Sequence, residues 1–359
     1  MLFLAEALIN QGVNVGLWCS SHSRMDELAD SFSRLGKVFR LEYKNTYDYS
    51  LRSIRYLLPK TVEGLKAAID NFRPDVIHLN KQNLEDGLDL VKALDKLNIP
   101  YVTTIHITQT QKALGALLGG LRDTLSRRIL QQSKSLKWIT ISSNRFLDFS
   151  KFLMNNPERI IFIPNGVKLE NIEGAVPKKE MKKRMNVPED NLIAITVGRL
   201  EQQKDPFKFI DWAEKCLRAN DKLRFYWIGD GRLRNEFEEK IKKLSLSNSI
   251  ICLGWKRDVK PFYALADIYV HTARFEGLPF SLLEAMSWGL PCVVTEELYD
   301  DLPFPEEMLS KGIEGLELII GHSTMRKKTG DFAREYIINN LSQDVIAKSY
   351  LEVYKSISK

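Results

Sequence analysis

At 359 residues the chain is too long for one ordinary core and about right for two domains of α/β size. A composition of 44% hydrophobic and 27% charged residues is that of a globular protein, and no apolar run approaches the roughly 18–20 residues needed to cross a bilayer. The net charge of +6 resides wholly in residues 112–145, where Lys112, Arg122, Arg127, Arg128, Lys134, Lys137 and Arg145 stand against one acid, Asp123. No recognition motif or stacking aromatic accompanies that charge, which argues against nucleic acid as a partner.

The chain opens on a helical pattern, MLFLAEALINQG, whose Glu6 and missing basic n-region and cleavage site do not fit a signal peptide. Short β-branched runs then alternate with longer helical patterns, which predicts α/β structure with parallel strands. Strands are expected at VNVGLWC (13–19), PDVIHLN (74–80), PYVTTIHI (100–107), WITIS (138–142) and IIFIPNG (160–166), with amphipathic helices at 61–72 and 83–98. Residues 164–190, with Pro177, Pro188 and several lysines, read as a linker plus a short helix. The rhythm restarts with strands at 192–198, 224–230, 250–254, 268–272 and 292–295. Helices are expected at 206–219, 231–245, 258–266 and 280–289, and a further one reaches the C-terminus after a break near 340–344. The expected fold is two Rossmann-like domains facing each other across a cleft, with ligand at the carboxyl ends of the strands. Cys19, Cys216, Cys252 and Cys292 lack metal-ligand spacing and read as reduced thiols of a cytosolic protein.

Chemistry concentrates in ARFEGLPFSLLEAMSWGLPCVVT (273–295). Gly277 frees the backbone to approach a ligand, and Pro279 suits a first helical turn. Amides from Leu278 through Phe280 to Ser281 would then form a diphosphate seat at a helix N-terminus. Glu276 would lie beside it and Glu284 two turns deeper, although the spacing taken alone favours two surface charges. VGRLEQQKD (197–205) sets Arg199 and Lys204 just after a buried strand. Fixed cations there can neutralise a departing diphosphate without a metal, Arg as a planar fork and Lys as a point charge. No Asp-x-Asp-like cluster accompanies them, so no metal and no cofactor are expected.

Residues 192–295 resemble the nucleotide-sugar-binding half of retaining family-4 glycosyltransferases of the GT-B fold. The resemblance rests on Gly198, Arg199, Leu200 and Lys204, on IGDG (228–231), on LGWKRDVKPFYALADIYV (253–270), and on Glu276 with Glu284 seven residues between. It continues more faintly in RPDVIHLN (73–80), IPYVTTIHI (99–107), WITISS (138–143) and IPNGV (163–167). It implies an acceptor domain at 1–163, with helix 342–359 packing back on it, and a nucleotide-sugar domain at 164–341. Arg199 and Lys204 would hold the diphosphate of a UDP- or GDP-sugar, with Gly198, Gly277, Leu278, Pro279 and Phe280 shaping the seat. Glu276 would bind hexose hydroxyls near the reacting carbon, Glu284 the ribose, and His106 would be presented to the reacting sugar. His78 and His271 are expected to be structural.

Two departures accompany the resemblance. Family members open with a strand and a glycine-rich loop, and here the chain begins on the following helix, so both are expected upstream of Met1. After Thr295 the family's glycines and glutamate give way to EELYDDLPFPEEMLSKGIEGLELIIGHSTMRKK. The implied function is hexose transfer with retention to a glycan or lipid-linked acceptor in polysaccharide or lipopolysaccharide synthesis. The alternatives are a sugar-nucleotide epimerase and a non-catalytic partner subunit. For ALGALLGGLRDTLSRRIL (113–130) two readings stay open. Either it lies on an anionic membrane at the inner face of the cell, or Leu114, Leu117, Leu118, Leu121 and Leu125 face the core and the arginines solvate the outer side.

Overall fold

The computed structural model describes residues 2–43, 62–97, 99–141, 143–153, 157–172 and 174–358, with the backbone alone at 62, 63 and 143–145. The side chain of Arg145 therefore lies outside the described residues, as do Met1 and Thr61. Two compact units emerge: Met1–Gly166 with Gln343–Lys359, and Val167–Ser342.

The first unit alternates strand and helix. Its helices are α1 (Leu2–Asn10), α2 (Asp26–Ser33), α3 (Val62–Phe72), α4 (Leu88–Leu97), α5 (Gly119–Gln132) and α6 (Ser143–Leu153). Its strands are β1 (Gly16–Ser20), β2 (Lys37–Leu41), β3 (Ile77–Asn83), β4 (Tyr101–Ile107), β5 (Lys137–Thr140) and β6 (Ile160–Phe162). All pairings are parallel, but they form two sheets, β1-β2 and β3-β4-β5-β6. Among the described residues no strand pairs with the second edge of β1 or of β3. The larger sheet carries a core of Leu79, Leu84, Leu88, Val91, Tyr101, Ile105, Trp138 and Phe149.

The basic segment departs from the reading in which its leucines face the core and its arginines solvate the outer side. Arg122 pairs with Glu85, whose side chain is 4% exposed, and the Arg127 guanidinium lies 4.9 Å over the Phe152 ring. Both arginines turn inward, because a buried carboxylate and an aromatic face attract a cation more strongly than the helix's outer side does. Leu125 packs on the core, but Leu117, Leu118 and Leu121 are 86%, 67% and 67% exposed. The turn before α5 is fixed by the buried Asp123 carboxylate, which accepts from the amides of Gln111 (2.7 Å) and Lys112 (3.0 Å).

The unit continues after the second one, in α15 (Gln343–Ile357), the fifteenth helix among the described residues. Its residues Ala347, Leu351 and Tyr354 pack with Leu4, Ala7 and Leu8 of α1. His78 of β3 anchors it: Nδ1 lies 2.7 Å from the Tyr354 hydroxyl and Nε2 2.7 Å from Thr104 Oγ1. Burial pushes the imidazole down to about 3, so it is neutral and fully engaged, as a structural histidine should be.

The second unit is a doubly wound sheet. After α7 (Lys178–Arg184) come β7 (Leu192–Val197), α8 (Pro206–Ala219), β8 (Leu223–Ile228), α9 (Arg234–Lys243) and β9 (Ile250–Gly254). Then follow α10 (Lys260–Leu265), β10 (Ile268–His271), α11 (Phe280–Ser287), β11 (Cys292–Val294), α12 (Glu296–Asp301) and β12 (Leu309–Lys311). Helices α13 (Gly312–Gly321) and α14 (Ser323–Tyr336) complete it, and a π-helical turn, Ile337–Leu341, forms the expected break. The strand order is β12-β11-β10-β7-β8-β9, all parallel. The chain therefore reverses its winding between β7 and β10, and a crevice opens at their carboxyl ends in sheets of this kind. Beneath it, Phe209, Phe225, Trp227 and Phe237 meet edge to face or tilted, with the Phe209 and Trp227 centroids 5.3 Å apart.

His78 gives a direct test of how the C-terminal helix is held. Tyr354→Phe strands a buried imidazole nitrogen and should cost about 1–3 kcal/mol in chemical denaturation. A loss below about 0.3 kcal/mol would show that the hydroxyl contributes nothing.

Candidate nucleotide-sugar site

The site is built on the loops that follow β7 and β10. After β7 the chain runs through Gly198 and the exposed Arg199 to a short 3₁₀ turn, Gln202–Lys204. Asp205 then begins α8 in the left-handed region, φ 44°. Its carboxylate caps the helix through the Lys208 amide (3.2 Å) and accepts from Arg274 Nε (2.9 Å) of the other loop. Further bonds join the two loops. Gln203 Nε2 donates to the Phe275 carbonyl (3.1 Å) and the Arg274 amide to the Gln203 carbonyl (2.9 Å). Thr272 Oγ1 donates to the carbonyls of Lys204 and Asp205 (3.0 and 3.1 Å).

Between the joined loops Lys204 Nζ forms an ion pair with Glu276 Oε1, the two side chains being 15% and 13% exposed. Gly198 lies under the lysine stem, and a Cβ there would touch Lys204 Cδ and Cε at 3.6 Å. Among the described residues Arg199 makes no ion pair; it is exposed on the same loop as Lys204, and its charge bears on Glu201.

The turn after β8 needs its glycines for a close backbone crossing. A Cβ on Gly229 (φ +142°) would fall 2.0 Å from the Gly198 carbonyl oxygen, and one on Gly231 2.4 Å from that of Leu200. Trp227 Nε1 donates to the Gly198 carbonyl from below (2.9 Å). The IGDG run thus supports the Gly198–Leu200 backbone.

Downstream of Glu276, Gly277 is half-buried, Leu278 is 3% exposed and Phe280 is 38% exposed. Pro279 stands one position earlier than its expected place in the first turn. It has extended backbone (ψ 124°), and its carbonyl accepts from the amides of Leu282 and Leu283, which makes it the cap of α11. The amides left without an intrahelical carbonyl therefore start at Phe280. Glu284 Oε2 accepts from the Tyr263 hydroxyl at 2.9 Å, and burial raises its carboxyl above the ordinary value.

His106 belongs to the first unit, at the carboxyl end of β4. Nε2 lies 2.7 Å from Asn80 Oδ1, a carbonyl oxygen, so the ring proton sits there. Burial lowers the imidazole to about 4, leaving it neutral with Nδ1 as its lone pair. The residues that join the loops, Thr272, Gln203, Arg274 and Asp205, carry no periodic or motif signal that sequence reading could have used. Tyr263 and Tyr269 lie inside the run quoted for the resemblance, where each reads as core.

The family model for glycosyltransferase family 4 matches residues 1–171, and that for glycosyl transferases group 1 matches residues 177–316. A UDP-Gal:α-D-GlcNAc-diphosphoundecaprenol α-1,3-galactosyltransferase of Escherichia coli is 33% identical over 40% of this chain and 38% of its own length. The α-monoglucosyldiacylglycerol synthase of Acholeplasma laidlawii is 23% identical over 70% of this chain and 65% of its own. The first curated relatives are matched over only 38%, 60% and 44% of their lengths. Among solved structures, HepE of Anabaena in complex with UDP-glucose superposes with a TM-score of 0.76 over 99% of this chain and 95% of that one, at 17% identity. Each unit is matched by its own family model and the α/β architecture is shared over nearly the whole length, so the chain belongs to the family-4 type glycosyltransferases of the GT-B fold.

Proposed function

We propose that the chain transfers a hexose from a UDP- or GDP-sugar to an acceptor hydroxyl, with retention of anomeric configuration, in the synthesis of a cell-surface glycan or glycolipid. The observation that carries this reading is the Lys204–Glu276 pair at the switch point, with the exposed Arg199 on the same loop as Lys204. A cation already matched to a carboxylate can move to a diphosphate, and the carboxylate it leaves can accept from sugar hydroxyls. The relative acting from UDP-Gal and the neighbour holding UDP-glucose support the donor class.

In this reading Arg199 and Lys204 bind the diphosphate, Glu276 the hexose and Glu284, steadied by Tyr263, the ribose. The bond from the anomeric carbon to the phosphate oxygen breaks, and its electron pair leaves with the diphosphate. The acceptor oxygen bonds to the same face of that carbon, and its proton passes to the departing phosphate. The two cations stabilise the charge that develops, so no metal is required. His106, neutral and oriented by Asn80, offers its Nδ1 lone pair to an acceptor hydroxyl at the first unit.

A second reading concerns the acceptor side. The exposed Leu117, Leu118 and Leu121, with Lys112 and Arg128 exposed on the same segment, suit peripheral docking on the anionic inner face of the cell membrane. Relatives named for diphosphoundecaprenol and diacylglycerol products support a lipid-borne acceptor. Among the described residues no helix is long and apolar enough to cross a membrane, so the contact would be interfacial.

Incubation with a panel of UDP- and GDP-sugars tests the function. Release of free sugar and nucleoside diphosphate is the expected result, whereas an epimeric product or no turnover contradicts it. With the active donor, Arg199→Ala and Lys204→Ala should each lower turnover roughly 10²–10³-fold, and losses under about threefold in both would remove them from the site. For the membrane, sedimentation with anionic vesicles at low salt should be strong in the parent and lost when Leu117, Leu118 and Leu121 are all changed to Ser. A parent that stays in the supernatant ends that reading.

A further inference from the structure

His271, the last residue of β10, is 1% exposed, yet its Nε2 has no hydrogen-bond partner among the described residues. It stands 3.9 Å from Glu276 Oε1, the same oxygen that engages Lys204. On its other edge Nδ1 lies 3.3 Å from the Tyr269 hydroxyl, whose oxygen is also 2.9 Å from Ser281 Oγ and 3.4 Å from the Val197 carbonyl oxygen. The ring is thus fixed from behind and aimed at the carboxylate. Burial, followed by the charge of Lys204, drives the imidazole well below its ordinary value, so it carries one proton. A lone pair on Nε2 would face the carboxylate and repel it, whereas an N–H there attracts it. With the proton on Nε2, Nδ1 accepts from the Tyr269 hydroxyl, whose single proton then turns from Ser281 Oγ to the ring, and this is the tautomer the proposal requires.

An N–H at 3.9 Å is about 1 Å too far for a hydrogen bond. While Lys204 holds Glu276, that gap costs little. Once a diphosphate attracts the lysine, Glu276 would be left as a largely buried charge with only neutral sugar hydroxyls in place of its cation, which is unfavourable. We propose that His271 is the positioning residue that then takes over Glu276: as Lys204 moves to the diphosphate, the Nε2–H of His271 closes on Oε1 and holds the carboxylate toward the hexose. This rests on the reading of the site as a nucleotide-sugar seat. It gives the buried histidine a role in turnover beyond filling space under the loop.

The test uses the full chain with selectively ¹⁵N-labelled histidine and UDP as the probe. His271 should carry its proton on Nε2 in the free protein, and that proton should shift downfield on saturation with UDP. In turnover, His271→Phe should lower kcat about ten- to hundredfold, the range of a hydrogen bond to a charged group. UDP affinity should stay within about threefold. His271→Gln, which restores an N–H near the Nε2 position, should recover most of the rate. A proton on Nδ1, an Nε2 proton unmoved by bound UDP, or equal losses in the two variants would overturn the proposal. If His271→Phe does not fold, the spectra and the Gln variant still decide. Failure of both UDP and GDP to bind the parent would sink the nucleotide-sugar reading, whereas a proton on Nδ1 in the free protein would overturn the role of His271 alone.

Discussion

A lysine and a glutamate 72 residues apart meet where they are nearly removed from water, and the second unit is arranged around that meeting. Desolvating two charges costs several kcal/mol per ion, and the attraction offsets it only when geometry is held tightly. The holding comes from the bonds of Thr272, Gln203 and Arg274 between the loops, and from Asp205, which caps α8 and engages Arg274 at once. Strand order makes this available. Because β7 and β10 are neighbours in the sheet, their following loops emerge side by side.

The same requirement reaches into the packing below. Lys204 lies over Gly198, where a Cβ would meet its stem at ordinary contact distance, and the Gly198 carbonyl is held by Trp227 and closely crossed by Gly229. Trp227 is in turn wedged among Phe209, Phe225 and Phe237. A change in that aromatic core would move the ion pair without touching it. In the first unit a comparable service is rendered by His78, which ties the sheet to the C-terminal helix. Nearby His106 is engaged on one nitrogen among the described residues.

Much of this was legible in the residues, for reasons that also mark the limit. Apolar runs such as LIAITV and RFYWI are buried on both faces, and such runs signal parallel strands whatever surrounds them. The helix at 206–219 was legible from its Pro and its periodicity, and Pro206–Ala219 is the helix found. KVFRL of β2 was not, because it is short and mostly half-exposed, and neither was the three-residue β12. Site residues could be named from the resemblance, but their pairing could not, since the Lys204–Glu276 contact depends on strand order rather than spacing. Arg122 and Arg127 show the converse. A helical pattern assigns charges to the outer side, and only tertiary partners, Glu85 and Phe152, turn them inward. His271 read as a structural histidine, and its buried, unpartnered nitrogen is a property of the folded loop alone.

The central claim is that Lys204 is held by Glu276 until a diphosphate draws it away. Titration calorimetry of pyrophosphate into the parent and into Glu276→Gln tests it directly, because the variant no longer competes for the lysine. The account requires tighter binding in the variant, by about tenfold or more, given the usual strength of a hydrogen bond between charged groups. Equal or weaker pyrophosphate binding in a folded Glu276→Gln protein would contradict it.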